Sequence, residues 1–233
     1  MGRRAEARAE TTERILGAAR AEIARVGGVG LSMRAVAREV GMVSSAVYRY
    51  FPAREDLLTA MIMESYANLA DALAAAADHG DAASGAAAGS GVAVADRWSR
   101  LATALRRWGL ATPHEFQLIY GTPIPGYVAP PETIPAAGAV AAPFLDCVGP
   151  RRVAWTADLR SGEGLRALVD GTGMDSSGAA AVVAAISELV GFVGHELAGH
   201  FVGMFEPADG LYDAVVARQV RDLGLNAAPR GEF

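Results

Sequence analysis

A seven-residue run in the C-terminal half, GHELAGH from Gly194 to His200, carries the residue types of a zinc protease helix. In H-E-x-x-H two histidines four residues apart share a helix face, so both reach one metal. Here His195 and His200 are five apart. At about 100° per residue, five steps set them roughly 140° apart, and a regular helix cannot turn both to one ion. A helical metal-dependent hydrolase using His195, Glu196 and His200 is therefore the weaker reading. Nothing in the spacing requires a third ligand from His114 or Glu188, and no metal or other cofactor is expected.

Composition narrows the remaining chemistries. The 233 residues include no lysine, and all 21 basic residues are arginine. That removes the P-loop lysine, the Schiff-base lysine and the kinase lysine. No G-x-S-x-G elbow is present either. The single cysteine, Cys147, forms no intrachain disulfide and no multi-cysteine metal site; it reads as a small buried residue. No enzyme is expected.

The elements that would position a site are helices. The 52% hydrophobic fraction is mostly Ala, Val and Leu, and aromatics make up only 7%. A first helix is expected over 10–26, capped by Thr11 or Thr12, with Ile15, Leu16, Ala19, Ile23 and Val26 at helical spacing and Gly27-Gly28 as its stop. Ser32 caps a short second helix with Met33, Val36, Ala37 and Val40 on one face, and Gly41 ends it. A third helix runs from Ser44 to Tyr50. Pro52 opens a fourth, to about Ala77. The Gly/Ala/Ser-rich stretch 78–91 reads as a connection. Further helices are expected at 93–111, 114–121, 134–148, 162–170, 176–205 and 208–223, around a proline-rich irregular segment, TPIPGYVAPPETIP. No period-two strand pattern occurs. The chain reads as all-α, with domains at 1–52 and 53–233.

The second and third helices have the form of a helix-turn-helix. Ala37 is small where the helices cross, and Gly41 tolerates the turn. Val36, Val40, Met42, Val47 and Tyr50 would pack the pair against helix one, leaving Ser44, Ser45, Tyr48 and Arg49 outward. Short hydroxyl side chains at a helix N-terminus can enter the major groove and bond base edges, while Tyr48, Arg49 and Tyr50 can donate to phosphates. Residues 1–60 carry a net charge of +3 and residues 61–233 a net of −8, as suits a chain that meets an anionic polymer at one end.

The run LSMRAVAREVGMVSSAVYRYFPAREDLL closely resembles the N-terminal signature of the TetR family of bacterial transcription regulators, over about residues 10–60. The resemblance implies base contacts from Val43, Ser44 and Ser45, and phosphate contacts from Tyr48, Tyr50 and the start of helix four. Ser32, Arg34, Arg49 and Arg54 complete the expected DNA-binding set. Family members usually carry histidine at position 50 and lysine at 54; Tyr50 and Arg54 keep a donor at each. Through HEFQLIYGTPIPGYVAPPETIP and HELAGHF the rest resembles a TetR-type ligand domain, in which C-terminal helices pair two subunits and enclose a small-molecule pocket.

The resemblance implies a homodimer on double-stranded DNA with a palindromic operator, a repressor released by a small, mainly hydrophobic effector. Trp98, Trp108, Phe116, Gln117, Tyr120, Phe144, Trp155 and His195 are the expected ligand contacts, with Arg97 and His114 as further polar groups. Gly191, Gly199 and Gly203 on one helix, and Leu211, Val215, Val216, Val220 and Leu223 on the next, would form the dimer contact. Residues 1–14 lack the apolar core of a secretory signal. The longest apolar run, 179–205, is interrupted by Glu188, His195, Glu196 and His200, which fits a buried helix better than a membrane span. A cytoplasmic location with no membrane partner is expected.

Overall fold

The computed structural model describes residues 2–81, 91–160, 162–170 and 172–226. Ten α-helices and one 3₁₀ turn appear among the described residues, and no strand. The chain divides into two compact units. One comprises Met1–Asn68 with Thr112–Ala136, the other Leu69–Ala111 with Ala137–Phe233. These units are drawn differently from the expected 1–52 and 53–233, because the division falls inside a continuous helix.

In the first unit α1 spans Arg3–Gly30, α2 Met33–Glu39 and α3 Ser44–Val47; α4 spans Arg54–Asp81 and α6 Pro113–Tyr120. Ile15, Ala19 and Ile23 of α1 meet Val36, Ala37 and Val47 in a core closed by Leu57, Leu58 and Met61. Helix α1 corrects two expectations. It begins at Arg3 rather than at residue 10, and the Thr11 and Thr12 hydroxyls cap nothing; they donate back to the carbonyls of Ala7 and Arg8. It also continues to Gly30 across a kink at Gly27. Helix α4 starts two residues after Pro52, where the Asp56 carboxylate accepts from the Ala53 amide at 2.8 Å.

The second unit is built from α5 (Gly91–Ala111), α7 (Thr133–Val148), α8 (Glu163–Val169), α9 (Ser176–Leu197) and α10 (Asp209–Asp222), with the 3₁₀ turn at Ala154–Thr156. Residues 82–90 of the expected connection lie outside the described residues. Its core side chains include Trp98, Leu101 and Leu105 of α5, Phe144 of α7, Leu189 and Val193 of α9, and Tyr212 and Val216 of α10, all buried. Helix α9 is long and apolar enough, by length and composition, to cross a membrane. Its Ala179, Val182, Leu189 and Val193 are instead buried in this core, which accounts for the apolarity.

Two expected features of the C-terminal helices are corrected. Helix α9 ends at Leu197 and not at 205, because Gly199 adopts φ 76°, a left-handed conformation that closes a helix. Gly203 has φ 76° in the turns beyond, so of the three glycines only Gly191 belongs to the helix. The apolar stripe of α10 already has partners inside the protomer: Val216, Val220 and Leu223 are buried. Gln219, among them, donates to the Ala185 carbonyl at 3.1 Å and accepts from the Trp98 indole at 3.2 Å.

Candidate nucleic-acid interface and effector clefts

The geometry of α2–turn–α3 is fixed from its buried side. Ser32 caps α2, its hydroxyl accepting from the Ala35 amide at 3.4 Å. The Gly41 amide donates to Arg38 at 3.2 Å and the Met42 amide to Ala37 at 2.8 Å. These two bonds satisfy the last carbonyls of α2 and require Gly41 at φ 69°, where an L side chain would be strained. Ala37 is 1% exposed and leaves room for the next element. Val47 and Phe51 are buried and hold α3 down, with Met42 and Tyr50 packed at the edge.

The opposite side of that turn faces outward. Val43 is 69% exposed and Tyr48 45% exposed; Ser45 and Arg49 are exposed, and Ser44 and Tyr50 half-buried. Arg34 is exposed on α2. The regular helix stops at Val47, and Tyr48 to Phe51 continue as tight turns, the Tyr50 amide donating to the Val47 carbonyl at 2.9 Å. The edge therefore presents small hydroxyl side chains first and a phenol and a guanidinium behind them.

Arg54 is placed differently from the expected phosphate contact. Its Nε donates to the Leu31 carbonyl at 2.9 Å, and its Nη2 donates to those of Gly28 and Val29 at 2.8 and 2.9 Å. The guanidinium closes the C-terminal end of α1, whose last carbonyls lack helical partners. Sequence reading also missed Arg8, whose guanidinium carbon lies 5.0 Å from the centre of the Tyr50 ring. The signal was present in the spacing: Arg8 shares a helix face with the core residue Ile15.

The expected ligand residues do not gather in one cavity. Phe116, Gln117 and Tyr120 belong to the first unit, and the other five to the second. Phe116 and Tyr120 form a ring cluster, centroids 5.4 Å apart, with Tyr66 edge-on to Tyr120 at 6.3 Å. Burial raises the Tyr120 hydroxyl above the ordinary phenol range. Gln117 and His114 line a cleft of about 460 Å³ beside Ile23, Gly28 and Ile124. Trp98 and Phe144 are core residues with ring centroids 5.0 Å apart, and Trp155, 55% exposed, edges a cleft of about 270 Å³.

Of the expected set, Trp108 lines the largest of these clefts, about 640 Å³ between α5 and the end of α4. Ala72, Ala75 and Ala76 face it from α4, and Arg100, Thr103 and Arg107 from α5. The arginines were missed, although positions 100, 103 and 107 have the spacing of one helix face. Arg97 lies elsewhere, 3.8 Å from Asp146.

Because the helix ends at Leu197, the 140° separation does not apply, and the His195 and His200 ring centroids are 5.1 Å apart. His195 is exposed, its Nδ1 2.8 Å from the Gly191 carbonyl. Glu196 turns away: Arg106 donates to it through Nε at 2.8 Å and Nη2 at 2.7 Å, and to Asp209 through Nη1 at 3.0 Å. Among the described residues no group of three or more His, Cys, Asp or Glu side chains could hold a metal ion. Glu196, the middle residue of the weaker hydrolase reading, is thus one arm of an ion-pair network joining α5, α9 and α10.

Comparison with known proteins agrees with this geometry. Residues 15–61 match the sequence profile of the bacterial regulatory proteins of the tetR family, and residues 98–219 that of the tetracyclin repressor-like C-terminal domain. Two proteins named HTH-type transcriptional regulator, Rv1816 of Mycobacterium tuberculosis and Mb1846 of Mycobacterium bovis, are each 39% identical over 153 residues. That match covers 64% of this chain and 60% of each relative's length. A crystal structure of the regulatory protein SCO4313 superposes with a TM-score of 0.71 at 31% identity, covering 94% of this chain and 98% of that one. A protein of unknown function from Rhodococcus sp. RHA1 shares the fold, at TM-score 0.63 and 22% identity over 93% of this chain and 95% of that one. The matched family and the Mycobacterium relatives are regulators rather than enzymes, and nothing in the comparisons supports the hydrolase reading. The all-helical chain, with its helix-turn-helix and helical C-terminal region, belongs to the TetR family of bacterial regulatory proteins.

Proposed function

We propose that the chain is a DNA-binding repressor that acts as a cytoplasmic homodimer on a palindromic operator and leaves it when a small, mainly hydrophobic effector binds. The observation that carries this reading is the two-sided turn at α3. Val47 and Phe51 are locked into the core, while Val43, Ser44, Ser45 and Tyr48 stand outward as a rigid edge. Small polar groups at the tip suit base edges in the major groove, and Tyr48 and Arg49 suit phosphates. One such edge reads few base pairs, so two-fold pairing of two chains on two half-sites supplies the affinity.

A second copy has an apolar surface to meet. Val183, Ser187 and Gly191 form an exposed line on α9, and Val202, Met204 and Phe205 are exposed beyond it. For the effector, the cleft of about 640 Å³ has alanines and Trp108 as its apolar wall and two arginines for a polar end. To release DNA, the effector must bind the released form better than the DNA-bound one. Tyr48→Ala combined with Arg49→Ala tests the interface: affinity for every duplex should fall and its salt dependence should flatten. Unchanged affinity at all salt concentrations would remove α3 from the interface.

A further inference from the structure

The first three turns of α1 contribute no side chain to the core of the protomer. Residues 2–10 are all exposed, and the first α1 side chain buried in the core is Ile15. Isolated helices of this length are marginal in water, so this overhang is a continuation of α1 with a surface to offer. Two of its three arginines share one face, while Arg3 stands beside the acids, about 260° from Arg4. Taking about 100° per residue, Arg4, Arg8 and Ile15 fall within about 40° of one another, whereas Glu6, Glu10 and Glu13 lie about 180–240° from Arg4. Arg4 with Arg8, and Glu6 with Glu10, are like-charge pairs at i, i+4, which oppose helix formation.

The basic face leads to the reading edge. Ile15 marks the core side of α1, and the Arg8 guanidinium sits 5.0 Å over the ring of Tyr50, three residues past α3. At 1.5 Å per residue, Arg4 lies about 16 Å along the axis beyond Ile15. From these observations we infer that the start of α1 is a second DNA-contacting element: Arg4 and Arg8 dock on the sugar–phosphate backbone flanking the half-site that α3 reads. The acids on the far face point away from the polyanion. This inference rests on the DNA-binding reading of α3 and adds an element outside the helix-turn-helix. The contacts are with phosphate, so they add affinity and salt dependence without reading sequence. Arg8 is bound to the Tyr50 ring by a cation–π contact, which ties the added element to the reading edge.

The test uses the full chain and a duplex selected by it from a randomised library, followed by fluorescence anisotropy at several salt concentrations. Each phosphate contact contributes about 0.9 to the slope of log K against log salt. Arg4→Ala should lower that slope by about 1 per chain, and Arg4→Ala with Arg8→Ala by about 2. Arg4→Ala leaves the Tyr50 contact in place, so its effect separates lost phosphate binding from a loosened reading edge. On a duplex trimmed to the half-sites, variants and parent should bind alike. Slopes unchanged in both variants would overturn the inference while leaving α3 as the reader. A difference that survives trimming would overturn the flanking position. Failure of the parent chain to select any duplex would overturn both this inference and the reading on which it rests.

Discussion

Replacing Arg106 with alanine should be among the most damaging single substitutions in the second unit. The side chain is 13% exposed and Glu196, its bidentate partner, 17% exposed. Its third bond reaches Asp209, and its guanidinium carbon lies 5.2 Å from the centre of the Tyr212 ring. Removing one member of a mostly buried pair strands the other charge, at about 3–5 kcal/mol when burial is complete. With this residual exposure, about 2–4 kcal/mol is expected. For a chain of this size 1 kcal/mol moves Tm by about 2–4 °C, so the loss should be roughly 4–16 °C by calorimetry. Arg218→Ala is the control. Arg218 pairs with Glu188 at 48% and 38% exposure, so its loss should cost about 0–1 kcal/mol. Replacing both Arg106 and Glu196 with leucine should recover much of the loss, because no charge is then stranded. The Arg106 bond holds the exposed Asp209 carboxylate below its usual range. A depressed folded value means this contribution is present above about pH 4, the unfolded carboxylate value, and fades as pH falls through the folded one. If Arg106→Ala melts no lower than Arg218→Ala, the network does not join the three helices as described.

Three further outcomes are expected. Arg54→Ala should lower Tm more than it alters DNA binding, by about 1–3 kcal/mol, because three carbonyls at the end of α1 lose a charged donor; an unchanged Tm with a flattened salt slope would return Arg54 to the phosphates. Gly41→Ala should cost about 1–3 kcal/mol through its φ of 69°, with Gly41→Asn milder, as read by denaturant melts; an alanine variant as stable as the parent would contradict the turn geometry. Cys147, buried and with its thiol pushed up to about 11, should resist thiol reagents at pH 8 until the chain is unfolded; fast labelling of the native chain would contradict its burial.

What was legible in the sequence followed from short-range rules. The glycine at 41, the small residue at 37 and the apolar spacing of α2 and α3 act within a few residues, and the helix-turn-helix emerged where they placed it. Features set by distant neighbours were not legible. Arg54 could be read as a donor, but not that the carbonyls of α1, more than twenty residues earlier, would occupy it. The α10 stripe was recognisably apolar, yet pattern alone does not say whether Trp98 of the same chain or a second copy covers it. The aromatics read as one pocket because composition carries no coordinates; the fold shares them between two units. The histidine spacing misled because of one residue. Gly199 ends α9, and every angular inference beyond Leu197 assumed that it did not.

Selection from a randomised duplex library by the full chain, with the enriched sequences read out for the parent and for Ser44→Ala and Ser45→Ala, decides whether α3 reads DNA sequence. The parent should enrich a two-fold symmetric motif whose half-sites lie one helical turn, or a multiple of it, apart. The serine variants should keep that symmetry and spacing but change the preferred bases at contacted positions, with discrimination altered by about 1–3 kcal/mol. An enriched motif identical in all three proteins, or no enriched motif for the parent, would contradict the assignment of α3 as the reader of DNA sequence.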